Sequence, residues 1–464
     1  MDLIGPQAEG RSSVVNSQLT VNMYPRVEGK GAKNKLALYP IPGLKTYSTA
    51  PAGPCRSNGV AWKGKAYFVS GNRLISIDQN GISTSIGTLD TAGGRASVAG
   101  GRNYIMAVDG VSGYSYDGTT FAKITDADFP TADYVAWVNN YFIVNNHGTD
   151  QFHISGIDDP TAWSATDFAT AERKADVIHR PMWLRGDLLL LGDETSELFY
   201  DSGNADFPWE PFPNMILEYG VAAPASAAEA SSVIFMLAKT AEGGYRVIKA
   251  SSETPQVISD RDIEWQIGRL TTKTDAEGFF YEHDGHRFYV LTFPAGKKTF
   301  VYDDMNGMWH ERQSEGSRWR PSGYVFLNGK HIVGDYNSAV YYEIDHDTYT
   351  DAGEVITRIR RAPALHDDRK RLFFHRLELE IEGGVGLVTG QGSDPQIMMR
   401  WSDDGARTWG PWKWKPAGKL GEYRTRAHWH NLGSSRNRVF EFRMTDPVKW
   451  VVTDAYVDVS KGIM

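Results

Sequence analysis

Apolar residues along this chain come in short runs, broken every few positions by glycine, asparagine or aspartate, and the runs recur as hairpins. Gly59-Val60-Ala61-Trp62 leads through Lys63-Gly64-Lys65 into Ala66-Tyr67-Phe68-Val69, and a second turn at Gly71-Asn72 opens Leu74-Ile75-Ser76-Ile77. The plan returns with a turn at Gly100-Gly101-Arg102 before 104–108, at Asn139-Asn140 between 134–138 and 141–144, and at Arg185-Gly186 between 182–184 and 187–191. More decorated copies lie at 233–237, around Asp284-Gly285 and around Asn328-Gly329. β-Branched and aromatic residues suit a pleated strand, whereas glycine and asparagine tolerate the left-handed backbone of a tight hairpin turn. Each copy therefore predicts antiparallel strands.

The central turns fall near positions 63, 101, 139, 185, 242, 284 and 328, with intervals of roughly 38 to 57 residues. A four-stranded propeller blade repeats every ~40–50 residues. Seven units can be counted, and the irregular fifth leaves six or eight open. Closing such units into a ring hides the edges that separate hairpins would expose. An unrepeated series of β-sandwiches is the alternative. Helical patterning is scarce: the best candidate, 224–230, reads equally well as a loop.

From about Val355 the pattern changes to longer strands at 373–382, 396–401, 424–430 and 439–444, separated by loops rich in glycine and proline. Leu377, Leu379 and Ile381 alternate with charged residues, which is a strand with one buried face. The fold expected is thus all-β, a β-propeller of about seven blades (six to eight) with a C-terminal β-sandwich-like domain. Residues 56–354 form the repeats, 355–464 the sandwich, and 1–55 a segment that packs on or closes the propeller and contacts neighbours.

Composition sharpens this picture. The 464 residues include 47 glycines with 14 tryptophans, 22 tyrosines and 20 phenylalanines, a balance suited to many short strands and tight turns. Lys plus Arg is 49 against 57 Asp plus Glu, a net charge of −8, which argues against a globally basic nucleic-acid binder. Cys55 is the single cysteine, excluding an intrachain disulfide framework and any zinc site of several thiolates. No apolar run approaches the ~18–20 residues of a membrane span. The opening residues Met1-Asp2-Leu3-Ile4-Gly5-Pro6-Gln7 carry no secretory pattern, so folding in a cytosol is expected.

Two stretches then resemble a known family. Near the end, the first is Arg400-Trp401-Ser402-Asp403-Asp404-Gly405-Ala406-Arg407-Thr408-Trp409-Gly410, continued by Gly421-Glu422-Tyr423-Arg424-Thr425-Arg426, Leu432-Gly433 and the run from Arg438 to Val448. Near the start, the second is Ser17-Gln18-Leu19-Thr20-Val21-Asn22-Met23-Tyr24-Pro25, followed by Leu38-Tyr39-Pro40-Ile41-Pro42-Gly43-Leu44. Both resemble the packaged-DNA stabilisation proteins, the tail hub or nozzle proteins of short-tailed bacteriophages. The resemblance implies a propeller-containing structural virion protein with no catalysis and no cofactor, assembled in the host cytoplasm into the virion tail. It further implies a homo-oligomer, a hexameric ring below the portal and its head-to-tail adaptor proteins, with surfaces for a tail needle or tip and for tail fibres or spikes. Phage DNA passes through without sequence recognition, and a negative channel wall would let it do so unbound. This chain itself inserts in no membrane.

Candidate chemistry is sparse. Ser402, Asp404, Thr408 and Trp409 match an Asp box of the type S-x-D-x-G-x-T-W found in sialidase-like propellers, although Ala406 stands where the glycine belongs. Such a box usually braces a hairpin, the carboxylate accepting turn amides over a packed tryptophan. The alternative function is a glycan-binding or glycan-cleaving propeller. A glycosidase needs two carboxylates flanking one bond. The pairs Asp158-Asp159, Asp303-Asp304 and Asp367-Asp368 read as turns. His283-Asp284-Gly285-His286 and Asp345-His346-Asp347 also read as exposed turns and give no metal signature. The strongest charge feature holds Arg358, Arg360, Arg361, Arg369, Lys370, Arg371 and Arg376. It is a solvated connection, a docking surface for an acidic neighbour, or a DNA phosphate contact. Arg358, Arg360, Arg361, Arg369 and Arg371 are the candidate assembly interface.

Overall fold

The computed structural model describes residues 3–462 except 172–175, 205, 241, 252–254 and 369. Seven blade-like sheets are present among the described residues. Blades 1 to 4 each have four antiparallel strands and run from Val60–Trp62 to Ser83–Thr88, Ser97–Gly100 to Phe121–Lys123, Val135–Val138 to Phe168–Thr170, and Ile178–Leu184 to Trp209–Leu217. In blade 5 the first strand is broken into Gly220–Val221 and Ala228–Ala230, both paired with Val233–Lys239, and the blade ends at Gln256–Val257. Blade 6 runs from Glu277–His283 to Met308–Glu311. Blade 7 is Pro321–Leu327, Lys330–Asp335 and Val340–Asp345, and its fourth strand is Gly43–Thr49 from the start of the chain. Successive blades touch in turn through their first strands, except that the first strand of blade 5 meets the second strand of blade 4, and blade 7 lies against blade 1, so the ring is closed.

Local chemistry explains these hairpins. The turns Lys63-Gly64, Asn139-Asn140, Arg185-Gly186, Asp284-Gly285 and Asn328-Gly329 hold both central residues at positive φ. Such turns carry the twist of the strands they join. The apolar runs are nearly continuous because both faces of each blade are covered. In the blade 4 strand Asp187–Gly192, Leu188 and Leu190 pack with Ile143 and Phe152 of blade 3, whereas Leu189 and Leu191 pack with Ile234 and Met236 of blade 5. Seven such inter-blade cores encircle the ring, the last joining Phe68 and Ile75 of blade 1 to Ile332 and Tyr341 of blade 7. Each buried leucine contributes ~1.5–3 kcal/mol relative to exposure.

An eighth core lies between two further sheets. One orders Ser17–Val21, Arg358–Arg361, Asn437–Met444, Gln396–Ser402 and Lys413–Pro416, and the other Met23–Val27, Leu36–Pro40, Val452–Lys461, Leu372–Ile381 and Ala427–His430. Leu377, Leu379, Met399, Phe440, Phe442 and Trp450 fill the space between them. The N-terminal segment thus supplies strands to both sandwich sheets as well as the closing strand of the ring. Val21 also pairs in parallel with Glu311, the outer strand of blade 6, so one hydrogen-bonded sheet runs from propeller into sandwich.

The helical expectation changes. Residues 224–230 hold only a 3-10 turn, Pro224–Ser226, before the strand Ala228–Ala230. The one α-helix among the described residues is Arg261–Arg269. Asp260 caps it, accepting from the Ile263 amide at 2.8 Å, and Ile263 and Ile267 bury one face. The expected strand 424–430 begins only at Ala427, because residues 419–425 are turned on themselves.

Candidate functional site

Of the residues singled out by sequence, the arginines of strand Arg358–Arg361 lie at the seam between propeller and sandwich. The chain enters the seam at Asn22, which is buried and sits at φ 55° between a strand of one sandwich sheet and a strand of the other. Its Nδ2 donates to the carbonyls of Gln313 at 3.0 Å and Thr357 at 2.9 Å, and its Oδ1 accepts from the Gln313 amide at 2.8 Å. Strand Arg358–Arg361 then lies between Ser17–Val21 and Asn437–Met444, hydrogen-bonded on both edges.

The basic segment is not one patch. Arg358 and Arg360 are buried, which removes them from any exposed docking surface of this subunit. Their guanidinium groups end on neutral oxygens. Arg358 donates to the carbonyls of Asp446 at 3.1 Å and Tyr349 at 3.3 Å. Arg360 donates to the carbonyls of Leu3 at 2.5 Å and Pro6 at 3.1 Å, to the Thr20 hydroxyl at 2.6 Å and to Gln18 Oε1 at 2.9 Å. Burial pushes their pKa values down, to about 10 for Arg358 and about 9 for Arg360. Arg360 therefore fastens the N-terminal segment onto the sandwich. Arg361 is partly buried and Arg371 exposed, while Arg369 lies outside the described residues.

Arg361 meets the Asp-box-like turn. Its Nε donates to Glu441 at 2.8 Å, and Arg400 Nε donates to the other oxygen of the same buried carboxylate at 2.8 Å. Trp409 lies against both guanidinium groups, 5.0 Å from Arg361 and 4.7 Å from Arg400, and Arg400 also faces Trp412 at 4.3 Å. These separations suit cation–π attraction. Two arginines sharing one carboxylate thus form the floor on which the turn rests.

Asp404 points into its own turn. It accepts from the amides of Arg407 at 3.0 Å and Thr408 at 2.9 Å, from the Thr408 hydroxyl at 2.5 Å and from the Ser402 hydroxyl at 2.7 Å. The Thr408 hydroxyl foremost, with these other donors, holds the carboxyl well below the usual carboxylate range. Gly405 and Ala406 both have positive φ, so alanine tolerates the glycine position of the box. A Cβ on Gly405 would lie 2.7 Å from Val14 Cγ2, which places the N-terminal segment directly over the turn. Next to it, Asp403 accepts two hydrogen bonds from the buried Arg438 at 2.6 and 2.8 Å.

The remaining candidates serve turns and cores. Asp303 faces His286 Nδ1 at 2.5 Å, Asp304 accepts from Lys249 at 2.8 Å, and Asp158 accepts from Asn103 Nδ2 at 2.6 Å. The two histidine stretches, read separately in the sequence, come together: His283 stacks on His346, with His331 beside it. Among the described residues no group of three or more His, Cys, Asp or Glu is placed to hold a metal ion. Sequence reasoning gave no role to Asn22, Glu441, Arg400 or Arg438. Asn22 alone had a local signal, an asparagine between Val21 and Met23 in an otherwise strand-forming run.

Two family models match almost the whole chain: "Bacteriophage P22 Gp10, beta-propeller" over residues 7–349 and "Bacteriophage P22 Gp10, beta-sandwich" over residues 357–460. No curated protein sequence matches. Solved structures with similarity include YCF48 bound to a D1 peptide, at TM-score 0.41 and 11% identity, covering 66% of this chain and 98% of that one. The Pan2 WD40 domain of Neurospora crassa follows at 0.43 and 8%, covering 66% and 95%, and BamB from Moraxella catarrhalis at 0.41 and 8%, covering 70% and 97%.

Proposed function

The chain belongs to the bacteriophage P22 Gp10 family, and we propose that it acts as the tail hub, a ring-forming subunit that extends and seals the DNA channel below the portal. As a member of that family it is a structural, non-catalytic protein of the phage tail with a role in stabilising packaged DNA. The observation that carries the hub reading is the continuous sheet from blade 6 through Val21 into the sandwich, locked by Asn22. A subunit so joined transmits load without a hinge, which a channel held against packaged DNA requires.

In this reading the ring is closed, because closed cyclic symmetry avoids runaway polymerisation, and it is a hexamer, as the resemblance to tail hub proteins implies. It is assembled in the host cytoplasm, the head-to-tail adaptor contacts one face, and a tail needle or tip and the fibres or spikes contact the other parts of the ring. The division into 1–55, 56–354 and 355–464 then gives ring closure and neighbour contacts to the first segment, the propeller repeats to the second and the sandwich-like domain to the third. The glycan reading has no support, since the oxygens of Asp404 are engaged by its own turn. Electron microscopy of intact tails tests the proposal. Six copies in a ring below the portal are expected, and five, eight or twelve copies at that level would overturn the stoichiometry.

A further inference from the structure

The first strands of the blades surround the propeller axis, and the cavity there is built unlike the rest of the protein. It measures about 70 Å³ and is lined by Asn58, Arg95, Tyr134, Arg180 and Ala225 among others, supplied by five consecutive blades. A space of this size holds about two waters or one small polyatomic ion.

Its charges do not balance. Arg95 is shared with Glu277, at 3.3 Å, and donates to the Ser322 carbonyl at 2.9 Å. Arg180 has no carboxylate within ion-pair distance among the described residues. Its Nη1 donates instead to the carbonyls of Pro224 at 2.8 Å and Ala227 at 2.9 Å, where the broken first strand of blade 5 turns them toward it, and it lies 5.1 Å from the Tyr134 ring. Behind Arg95, the buried Arg318 stacks on Tyr336 at 3.6 Å and leaves Nη1 without a partner. Arg95 and Arg318 thus share the carboxylate of Glu277, and Arg180 adds a third guanidinium beside Arg95, in a chain whose overall charge is −8. Burial first, and the nearby charge of Arg95 with it, lowers the pKa values of Arg180 and Arg318. Like charges held together in a low-dielectric space repel, and an anion between them relieves that repulsion.

We propose that this axial cavity is an anion site that takes one small oxyanion of the phosphate class, bound by the guanidinium donors of Arg95 and Arg180. Planar guanidinium forks match the oxygen spacing of such an ion, and backbone carbonyls already fix the orientation of Arg180. Bound there, the ion ties blades 2 and 4 across the axis and adds stability only to the closed ring.

The full chain is titrated with inorganic phosphate at constant ionic strength, with heat of binding and thermal midpoint as readouts. Saturable binding at one site, with a midpoint that rises and levels off, is expected. Arg180→Met, shown folded by circular dichroism, should weaken that binding at least about tenfold, the loss of ~1.4 kcal/mol. Ala225→Asp, which carries its own carboxylate into the cavity, should abolish the phosphate response and raise the midpoint in its absence. It keeps Arg180 in place and so carries the test if Arg180→Met does not fold. Absence of saturable binding in the wild type, or an equal, non-saturating rise in wild type and variant as general salt exclusion produces, would overturn the proposal.

Discussion

Asn22 and Gln313 meet side chain to backbone and exchange two hydrogen bonds, the Asn22 Oδ1 accepting from the Gln313 amide at 2.8 Å and its Nδ2 donating to the Gln313 carbonyl at 3.0 Å. The same Nδ2 reaches Thr357 just before the sandwich strand Arg358–Arg361, so one side chain holds the exit of blade 6 and the entry to the sandwich together. Asn22→Ala leaves these buried groups unpaired and places alanine at positive φ. A loss of ~2–4 kcal/mol is expected in chemical denaturation. Asn22→Gly accommodates the backbone but makes no such bonds, so it should recover only the conformational part. A loss below ~1 kcal/mol in Asn22→Ala would contradict the staple.

Arg360 acts on the N-terminal segment in the same way. Hydrogen bonds from a charged donor contribute ~1.5–3 kcal/mol, and this guanidinium makes four to buried or partly buried oxygens. Arg360→Ala is expected to free residues 3–16 for proteolysis while the propeller stays resistant. Limited digestion with mass analysis reads this directly, and an unchanged digestion pattern would count against the clamp.

The blades were readable from sequence because each is local: an apolar run, a left-handed turn such as Asn139-Asn140, and a second run. The seam was not, because its partners are far apart in the chain. Arg360 and Leu3 are separated by hundreds of residues, and no pattern around Arg358–Arg361 distinguishes arginines that end on carbonyls from arginines in water. Three arginines in four positions read as a solvated or docking strip, yet the alternation of the strand buries two of them. The helix Arg261–Arg269 escaped notice for a different reason: its apolar face is only Ile263 and Ile267, too little for periodicity to register.

The Asp404 turn gives a prediction about what does not happen. Asp404→Ala removes the acceptor of two turn amides and two hydroxyls, so the thermal midpoint should fall and the loop 403–409 should exchange amide hydrogen faster. Glycan arrays should be blank for wild type and variant alike. Saturable sugar binding by the wild type, lost in a folded Asp404→Ala protein, would reverse the assignment.

Histidines in blades 6 and 7 set an acid limit. Burial, reinforced by His283, lowers His331 to about 4 and His346 to about 3 from the ordinary 6.5, with Arg312 and His286 adding to the effect at His346 and Glu343 opposing it at His331. Both are neutral in the folded chain, whereas the unfolded chain takes up protons below pH 6.5. Stability present above about pH 6.5 is therefore lost as pH falls toward 4 and then 3. Each unit of depression corresponds to ~1.4 kcal/mol before solvent screening reduces it. His346→Gln should flatten this loss in denaturation midpoints measured between pH 7 and pH 4, and an unchanged slope would show that these rings do not govern it.

Assembly can now be probed without disturbing the fold. Substituting Arg360 or Arg361 mixes docking with stability, because both side chains hold internal partners. Arg371 is exposed, and the bond it makes to the Gly462 amide uses its backbone carbonyl, so a side-chain change leaves that bond intact. Exposed Phe373 follows it on the strand Leu372–Ile381, giving a charged and aromatic pair at one corner of the sandwich. If that corner meets an acidic partner in the tail, truncating one side of the desolvated pair costs ~2–5 kcal/mol, whereas a solvated arginine is worth ~0–1 kcal/mol. Arg371→Glu is expected to keep the wild-type thermal midpoint and circular dichroism, to reduce the copies of this chain per particle severalfold, and to leave filled heads that leak DNA. Arg371→Lys should retain partial incorporation, since it preserves the charge but not the planar fork. Normal copy number and normal infectivity in Arg371→Glu would remove the docking reading of this corner.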